Sequence, residues 1–252
     1  MVERLLHREH RNRHDMSGLI LALLLAGAGR GYRIAPPLPK ATVSCWGDSI
    51  FAGACGTQPC AALKDDHLPG AYAYATKAMS GEMADQIAHR IISEAATACL
   101  GEPCATYAVN GGVNTLKSAD VAVTPDADTV AYALSGDGAT VLGMLDGVDW
   151  IHATYPRANV ILFGVLPYAG CDNATCPSLV NPGNRARLYN AAMLSACASR
   201  PWLRCLAPYS AFEDPQNPDH GNPSMVCADG IHWQSAGGHL IGDYLYAAGA
   251  SP

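Results

Sequence analysis

The chain has 252 residues and a mass of 26.4 kDa, enough for one sizeable core and short for two ordinary domains. Lys and Arg number 16 against 22 Asp and Glu, for a formal net charge of -6 with no long basic run. That argues against a nucleic-acid-binding face, which needs clustered cations. Hydrophobic residues make up 49% and charged residues 15%, a balance that excludes a disordered chain.

Met1 to Asp15 carries Arg4, Arg8, Arg11 and Arg13 and leads into an apolar run from Leu19 to Ala26. The small-x-small triplet Ala26-Gly27-Ala28 follows. Basic flank, short apolar run and small residues describe a secretory signal over residues 1–28, cleaved after Ala28. Met16, just before the run, is an alternative start. The uncharged stretch from Gly18 to Gly29 falls short of the roughly twenty residues that a membrane-spanning helix needs, so export with cleavage is expected over anchoring. Residues 29–40, with Pro36, Pro37 and Pro39, read as a linker, and residues 41–252 as a single domain.

Thr42 to Trp46 is β-branched and aromatic and ends at Gly47, the pattern of a buried first strand. From Met79 to Cys99, Met83, Ile87, Ile91, Ala95 and Ala98 fall at helical spacing. Thr106–Val109, Thr129–Leu134 and Asn159–Val165 are further strand candidates, with a helix around Val141, Leu145, Val148 and Ile151 between the last two. Asn184–Ser199 and Ser235–Ala248 are expected as helices, with a strand at Trp202–Leu206 between them. Strands alternating with helices imply an α/β fold whose mainly parallel sheet is covered on both faces. Asn173-Ala174-Thr175 is a glycosylation sequon that matters only in a glycosylating host.

All ten cysteines lie beyond Ala28, and an even number in an exported chain points to disulfides. Cys55/Cys60, Cys99/Cys104 and Cys171/Cys176 share one spacing, and Cys197/Cys205 is slightly wider, leaving Cys45 and Cys227. These two flank the chemistry described next, and a bridge between them is expected to tie its halves together. There is no C-x2-C pair and no Cys/His cluster at metal-ligand spacing, so no metal is called for.

In an open parallel sheet, ligands bind beyond the carboxyl ends of the strands. The turn after the first strand reads Gly47-Asp48-Ser49-Ile50, and the turn before the last helix holds Asp229-Gly230-Ile231-His232. A serine hydroxyl needs an imidazole to take its proton, and the imidazole needs a carboxylate on its other nitrogen. A spacing of three lets one short segment supply both. The competing readings are an ordinary capping turn and an incidental histidine.

Together these segments resemble the SGNH (GDSL-type) hydrolase family over residues 41–248. The resemblance implies a three-layer α/β/α sandwich with a flavodoxin-like sheet, and hydrolysis of carboxylic esters, often of acetyl groups on sugars or of lipid acyl chains. It also implies Ser49 as nucleophile, His232 as general base and Asp229 as its partner, with no cofactor. The family's second block ends in a glycine whose N–H binds the oxyanion; aligned on Asn110-Gly111-Gly112-Val113-Asn114-Thr115, that position holds Thr115. Its third block, Gly-x-Asn-Asp, supplies an asparagine amide; aligned on Ser135-Gly136-Asp137-Gly138, that position holds Asp137. An ionised carboxylate there would repel the oxyanion, and losing one donor costs about 10²–10³ in turnover. Asp137 is therefore expected to be neutral, displaced, or the mark of a slow or inactive relative.

The Gly136-Asp137-Gly138 run lacks the third glycine and the acidic partner of a dinucleotide site, and no Walker loop or G-x-S-x-G elbow is present. Acyl transfer to a sugar hydroxyl would use the same triad, and a binding protein could be built on a damaged site. The expected partner is a small-molecule or glycan ester, with no nucleic acid and no membrane span after signal removal, in a periplasmic or extracellular location. Trp46, Phe51, Tyr168 and Trp233 lie near the presumed crevice, equally suited to stacking and to the core.

Overall fold

A computed structural model describes residues 43–68, 74–99, 101–118, 124–171, 176 and 181–250. The signal segment, the linker, Thr42 and the sequon lie outside them.

Strand β1 (Val43–Trp46) is buried along its whole length and leads through a two-residue turn into α1 (Ser49–Ala52). α2 (Pro59–His67) follows, with proline at its start, where the missing N–H costs nothing. β2 (Tyr74–Thr76), α3 (Ala84–Glu94), β3 (Thr106–Asn110) and α4 (Val113–Lys117) come next. α3 turns Ala84, Ile87, Ala88 and Ile91 inward. α5 (Asp126–Ser135), α6 (Met144–Thr154), β4 (Asn159–Phe163), α7 (Pro182–Ala198) and β5 (Leu203–Leu206) complete the sheet and its cover. α8 (Tyr209–Phe212), the hairpin β6 (Glu213–Asp214)–β7 (Asn217–Gly221) and α9 (Ser235–Ala247) close the described chain.

The sheet runs β2-β1-β3-β4-β5, every neighbouring pair parallel. Right-handed crossovers place α2 on one face and α3, α5, α6 and α7 on the other. α9 packs on α2, α3 on α6 and α5 on α7, giving an α/β/α sandwich. The inner strands β1, β3 and β4 are almost wholly buried, as a sheet covered on both faces requires. Trp46, Phe51, Tyr107 and Phe163 fill the core between the layers. Among the described residues, no helix is long and apolar enough to cross a membrane.

Two elements differ from expectation. The strand expected over Thr129–Leu134 is the body of α5. There Thr129, Val130, Ala133 and Leu134 are buried while Ala131 and Tyr132 are exposed, a helical period and not an alternating one. Pro125 precedes the helix, Asp126 and Asp128 occupy its first turn, and Gly136 ends it. β2 was not expected at all.

Every cysteine is paired, but not as foreseen. Cys99–Cys104, Cys171–Cys176 and Cys197–Cys205 form as expected. Cys45, buried in β1 beneath α2, bonds to Cys60 at the start of that helix; Cys55 bonds to Cys227. The Cys45–Cys227 bridge is thus replaced by one that begins ten residues further on, in the loop after α1.

Candidate active site

The turn after β1 depends on close approach. A Cβ on Gly47 would sit 2.5 Å from the Asn110 carbonyl oxygen, and its φ of 154° suits glycine. Asp48 then caps α1, its Oδ1 accepting from the Ile50 N–H at 3.0 Å. Ser49 is the first residue of the helix and is 5% exposed. Asp48 is fully buried, and Oδ2 has no partner among the described residues. Burial pushes its carboxyl up to about 6, against the pull of the Ile50 N–H and of the charges on Lys117 and His232.

The second half is a tight loop. Cys227 N–H donates to the His232 carbonyl at 2.7 Å, and the bridge of Val226 with Trp233 clamps its ends. Inside it, Asp229 Oδ1 accepts from the N–H groups of Ile231 (3.0 Å) and His232 (2.9 Å), and Oδ2 faces His232 Nδ1 at 2.6 Å. Burial pushes the Asp229 carboxyl up, but the three His232 and Ile231 donors outweigh it and hold the group below the usual carboxylate range. An anionic Asp229 fixes the proton on Nδ1 and leaves Nε2 to accept one. Gly230, at φ 74°, lets this loop lie directly on the Gly170 carbonyl.

The two halves meet through the Cys55–Cys227 bridge and through backbone packing. A Cβ on Gly56 would lie 2.5 Å from Ser235 N, so the loop after α1 rests on the start of α9. The His232 charge is felt at Asp48, next to Ser49. No hydrogen bond joins Ser49 to His232 among the described residues.

The other two expected site residues fall differently. Asp137 follows a helix instead of a strand and sits in an exposed loop. Its carboxylate accepts from the N–H groups of Ala139, Thr140 and Val141 and from the Thr140 hydroxyl, at 2.7–2.8 Å. The Val141 N–H, with the other three donors, holds it far below the usual carboxylate range, so it is an ionised loop staple with no donor to offer. Thr115 is buried in α4, its hydroxyl accepting from Ala84 N–H at 2.9 Å.

What flanks Ser49 is set by register. Beyond β2, Met79 N–H donates to the Gly47 carbonyl at 2.8 Å, which brings the turn that holds Gly81 up to the Gly47-Asp48-Ser49 turn on one side. Trp46 pairs with Val109 on the other, and Gly47 lies against the Asn110 carbonyl, so the loop after β3 that holds Gly112 flanks the same turn there. Asn114, 8% exposed, donates through Nδ2 to the Glu82 carbonyl at 2.9 Å and so links the two flanks. The triplet Gly112-Val113-Asn114 was legible as Gly-x-Asn; the missing signal was the strand count that ranks it.

Beside the turn lies a small apolar cavity, ≈ 10 Å³, lined by Ile50, Val113, Leu166, Tyr168, Ile231 and Trp233 among others. Trp46 and Phe51, by contrast, are wholly core.

No family model and no curated protein matches the chain in sequence. Solved structures do match its shape. A GDSL-like lipase from Bacteroides thetaiotaomicron superposes with a TM-score of 0.56 at 20% identity, covering 86% of this chain and 91% of its own. A lipase/acylhydrolase from Enterococcus faecalis gives 0.55 at 20% identity, over 82% and 94%. A carbohydrate acetylesterase family member from Sinorhizobium meliloti gives 0.57 at 12% identity, over 82% and 96%. By its superposition on these structures and its parallel five-stranded sheet covered by helices, the chain has the SGNH-type (GDSL) hydrolase fold.

Proposed function

We propose that the protein is an exported serine esterase that hydrolyses carboxylic esters of short acyl groups, on a small molecule or a glycan, through an acyl-Ser49 intermediate. The observation that carries this reading is the Asp229–His232 pair at 2.6 Å on a loop bonded through Cys227 to the segment just after Ser49. The fold shared with acylhydrolases and an acetylesterase supports it. The five disulfides support an oxidising compartment.

Ser49 Oγ attacks the ester carbonyl carbon while His232 Nε2 takes its proton. Asp229 stabilises the imidazolium, and the Asp48 charge adds to that field. The carbonyl electrons move onto oxygen, where the Ser49 and Gly81 N–H groups and the Asn114 amide receive them. The oxyanion collapses, the alkoxide departs with the proton from His232, and acyl-Ser49 remains. Water, deprotonated by the same imidazole, then releases the carboxylic acid and restores the serine. Catalytic hydrogen bonds often tighten only around substrate, and contact between Ser49 and His232 belongs to that step. Gly81 and Asn114 take the oxyanion roles first sought at Thr115 and Asp137. The ≈ 10 Å³ cavity beside Ile50 and Ile231 is about the space of one water and offers no buried room for a long acyl chain, in keeping with a short acyl group.

Hydrolysis of p-nitrophenyl acetate and butyrate tests the reading. Ser49→Ala should abolish turnover of acetate, and wild-type protein should prefer acetate. Equal rates in wild type and Ser49→Ala would reject it.

A further inference from the structure

A second, larger cleft opens beside the proposed oxyanion donors. It measures ≈ 410 Å³ and is lined by Met83, Thr115, Ser118, Thr124, Asp128, Thr129 and Tyr132. Met83 lies two residues after Gly81 and Thr115 one after Asn114, and the Asn114–Glu82 hydrogen bond joins these strands of chain at the cleft's inner end. The size is that of a small-molecule site, and it dwarfs the acyl cavity by Ile50.

The chemistry of its walls is mixed in a particular way. Asp128 and Tyr132, one turn apart on α5, share a face and are both exposed, Tyr132 at 40%. The ring and the Met83 thioether offer a flat apolar surface. Six of the seven lining residues carry a hydroxyl or a carboxylate. Thr115 and Thr129 keep their hydroxyls for the protein's own backbone, but a long acyl chain would strip water from Asp128, Ser118 and Thr124 and return no hydrogen bond. A pyranose ring suits both features: its C–H face lies on the aromatic ring, and its hydroxyl edge meets Asp128, Ser118 and Thr124.

We infer that this cleft binds a sugar ring of the substrate, so that the ester cleaved is an acyl group on a carbohydrate and Tyr132 and Asp128 set that specificity. The inference rests on the esterase reading for the reaction but not for the binding. The test is calorimetric titration of the Ser49→Ala protein with acetylated xylotriose, with unacetylated xylotriose and with decanoate. It is repeated after adding Tyr132→Ala, Asp128→Asn or, as a control, Tyr246→Ala, which changes a similarly exposed tyrosine on α9.

Both sugars should bind and decanoate should not. Tyr132→Ala should weaken sugar binding about tenfold, the value of one buried aromatic face, and Asp128→Asn about threefold, that of one hydrogen bond. Tyr246→Ala should leave it unchanged. Absent sugar binding, sugar binding indifferent to Tyr132→Ala, or decanoate binding lost in Tyr132→Ala would each overturn the inference. Sugar binding with these sensitivities, in a protein whose wild type hydrolyses no ester, would instead remove the role of Ser49 and leave the cleft assigned.

Discussion

Replacing Asn114 by Ala separates the two candidates for the side-chain oxyanion donor. If the Asn114 amide receives the developing charge, its loss should lower kcat about 10²–10³-fold, or roughly 2.7–4 kcal/mol of barrier, with little change in KM. The same change also frees the Glu82 carbonyl, which now accepts from Asn114 Nδ2 at 2.9 Å. A buried acceptor left unpaired costs about 1–3 kcal/mol, at roughly 2–4 °C of Tm per kcal/mol for a domain of this size. Turnover of p-nitrophenyl acetate is therefore measured well below the variant's own midpoint, so that unfolding does not pass for lost catalysis. Asp137→Asn is the companion. Because the Asp137 carboxylate spends itself on four loop donors, that substitution should lower Tm and keep kcat within about twofold. An Asn114→Ala enzyme with near-wild-type kcat, or an Asp137→Asn enzyme whose kcat shifts tenfold, would refute the assignment.

Other consequences follow from Asp48 and from the disulfides. Burial raises the Asp48 carboxyl from its ordinary 3.8 to about 6. Between those pH values the folded chain therefore holds a proton that the unfolded chain has released. This stabilisation is complete below about pH 4 and is lost as pH rises through 6, a swing of roughly 3 kcal/mol. Asp48→Asn keeps a cap for Ile50 and removes the swing, so urea midpoints from pH 4 to 7 should gain on wild type as pH rises; a constant difference would contradict this. Removing Cys55–Cys227, whose partners are 172 residues apart, should cost about 5 kcal/mol, against about 2 kcal/mol for Cys99–Cys104, five apart. Equal costs in paired Cys→Ser variants would show that loop closure does not govern them.

Most of the sandwich can be read from composition along the chain. Val43–Trp46, Thr106–Asn110 and Asn159–Phe163 are short, mainly apolar runs because they are buried on both faces, and a run without alternation survives an error of register. β2 is the opposite case. It has three residues, lies at the sheet edge, and leaves Tyr74 exposed, so neither length nor alternation marks it. α5 misleads for another reason: Thr129-Val130-Ala131-Tyr132-Ala133-Leu134 carries the β-branched and aromatic residues of a strand, and only the inward pairs 129/130 and 133/134 betray the helix. Tertiary packing overrides propensity there.

The site is legible at its ends and not in its middle, and one missing strand accounts for that. Gly47-Asp48-Ser49 and Asp229-x-x-His232 carry their own internal spacing, so they are recognised wherever they stand. The proposed oxyanion donors carry almost none, so they are placed by the strands that precede them. Without β2, Asn110–Thr115 slips into second place, and the third loop is sought after the next strand-like run, which is α5. With β2 restored, Gly81 stands after the second strand and Gly112-Val113-Asn114 after the third. In the proposed assignment an amide then stands where a carboxylate had been sought. The physical implausibility of an ionised Asp137 at an oxyanion was itself evidence about strand order, because electrostatic repulsion at a reaction centre is harder to accommodate than a three-residue edge strand is to overlook.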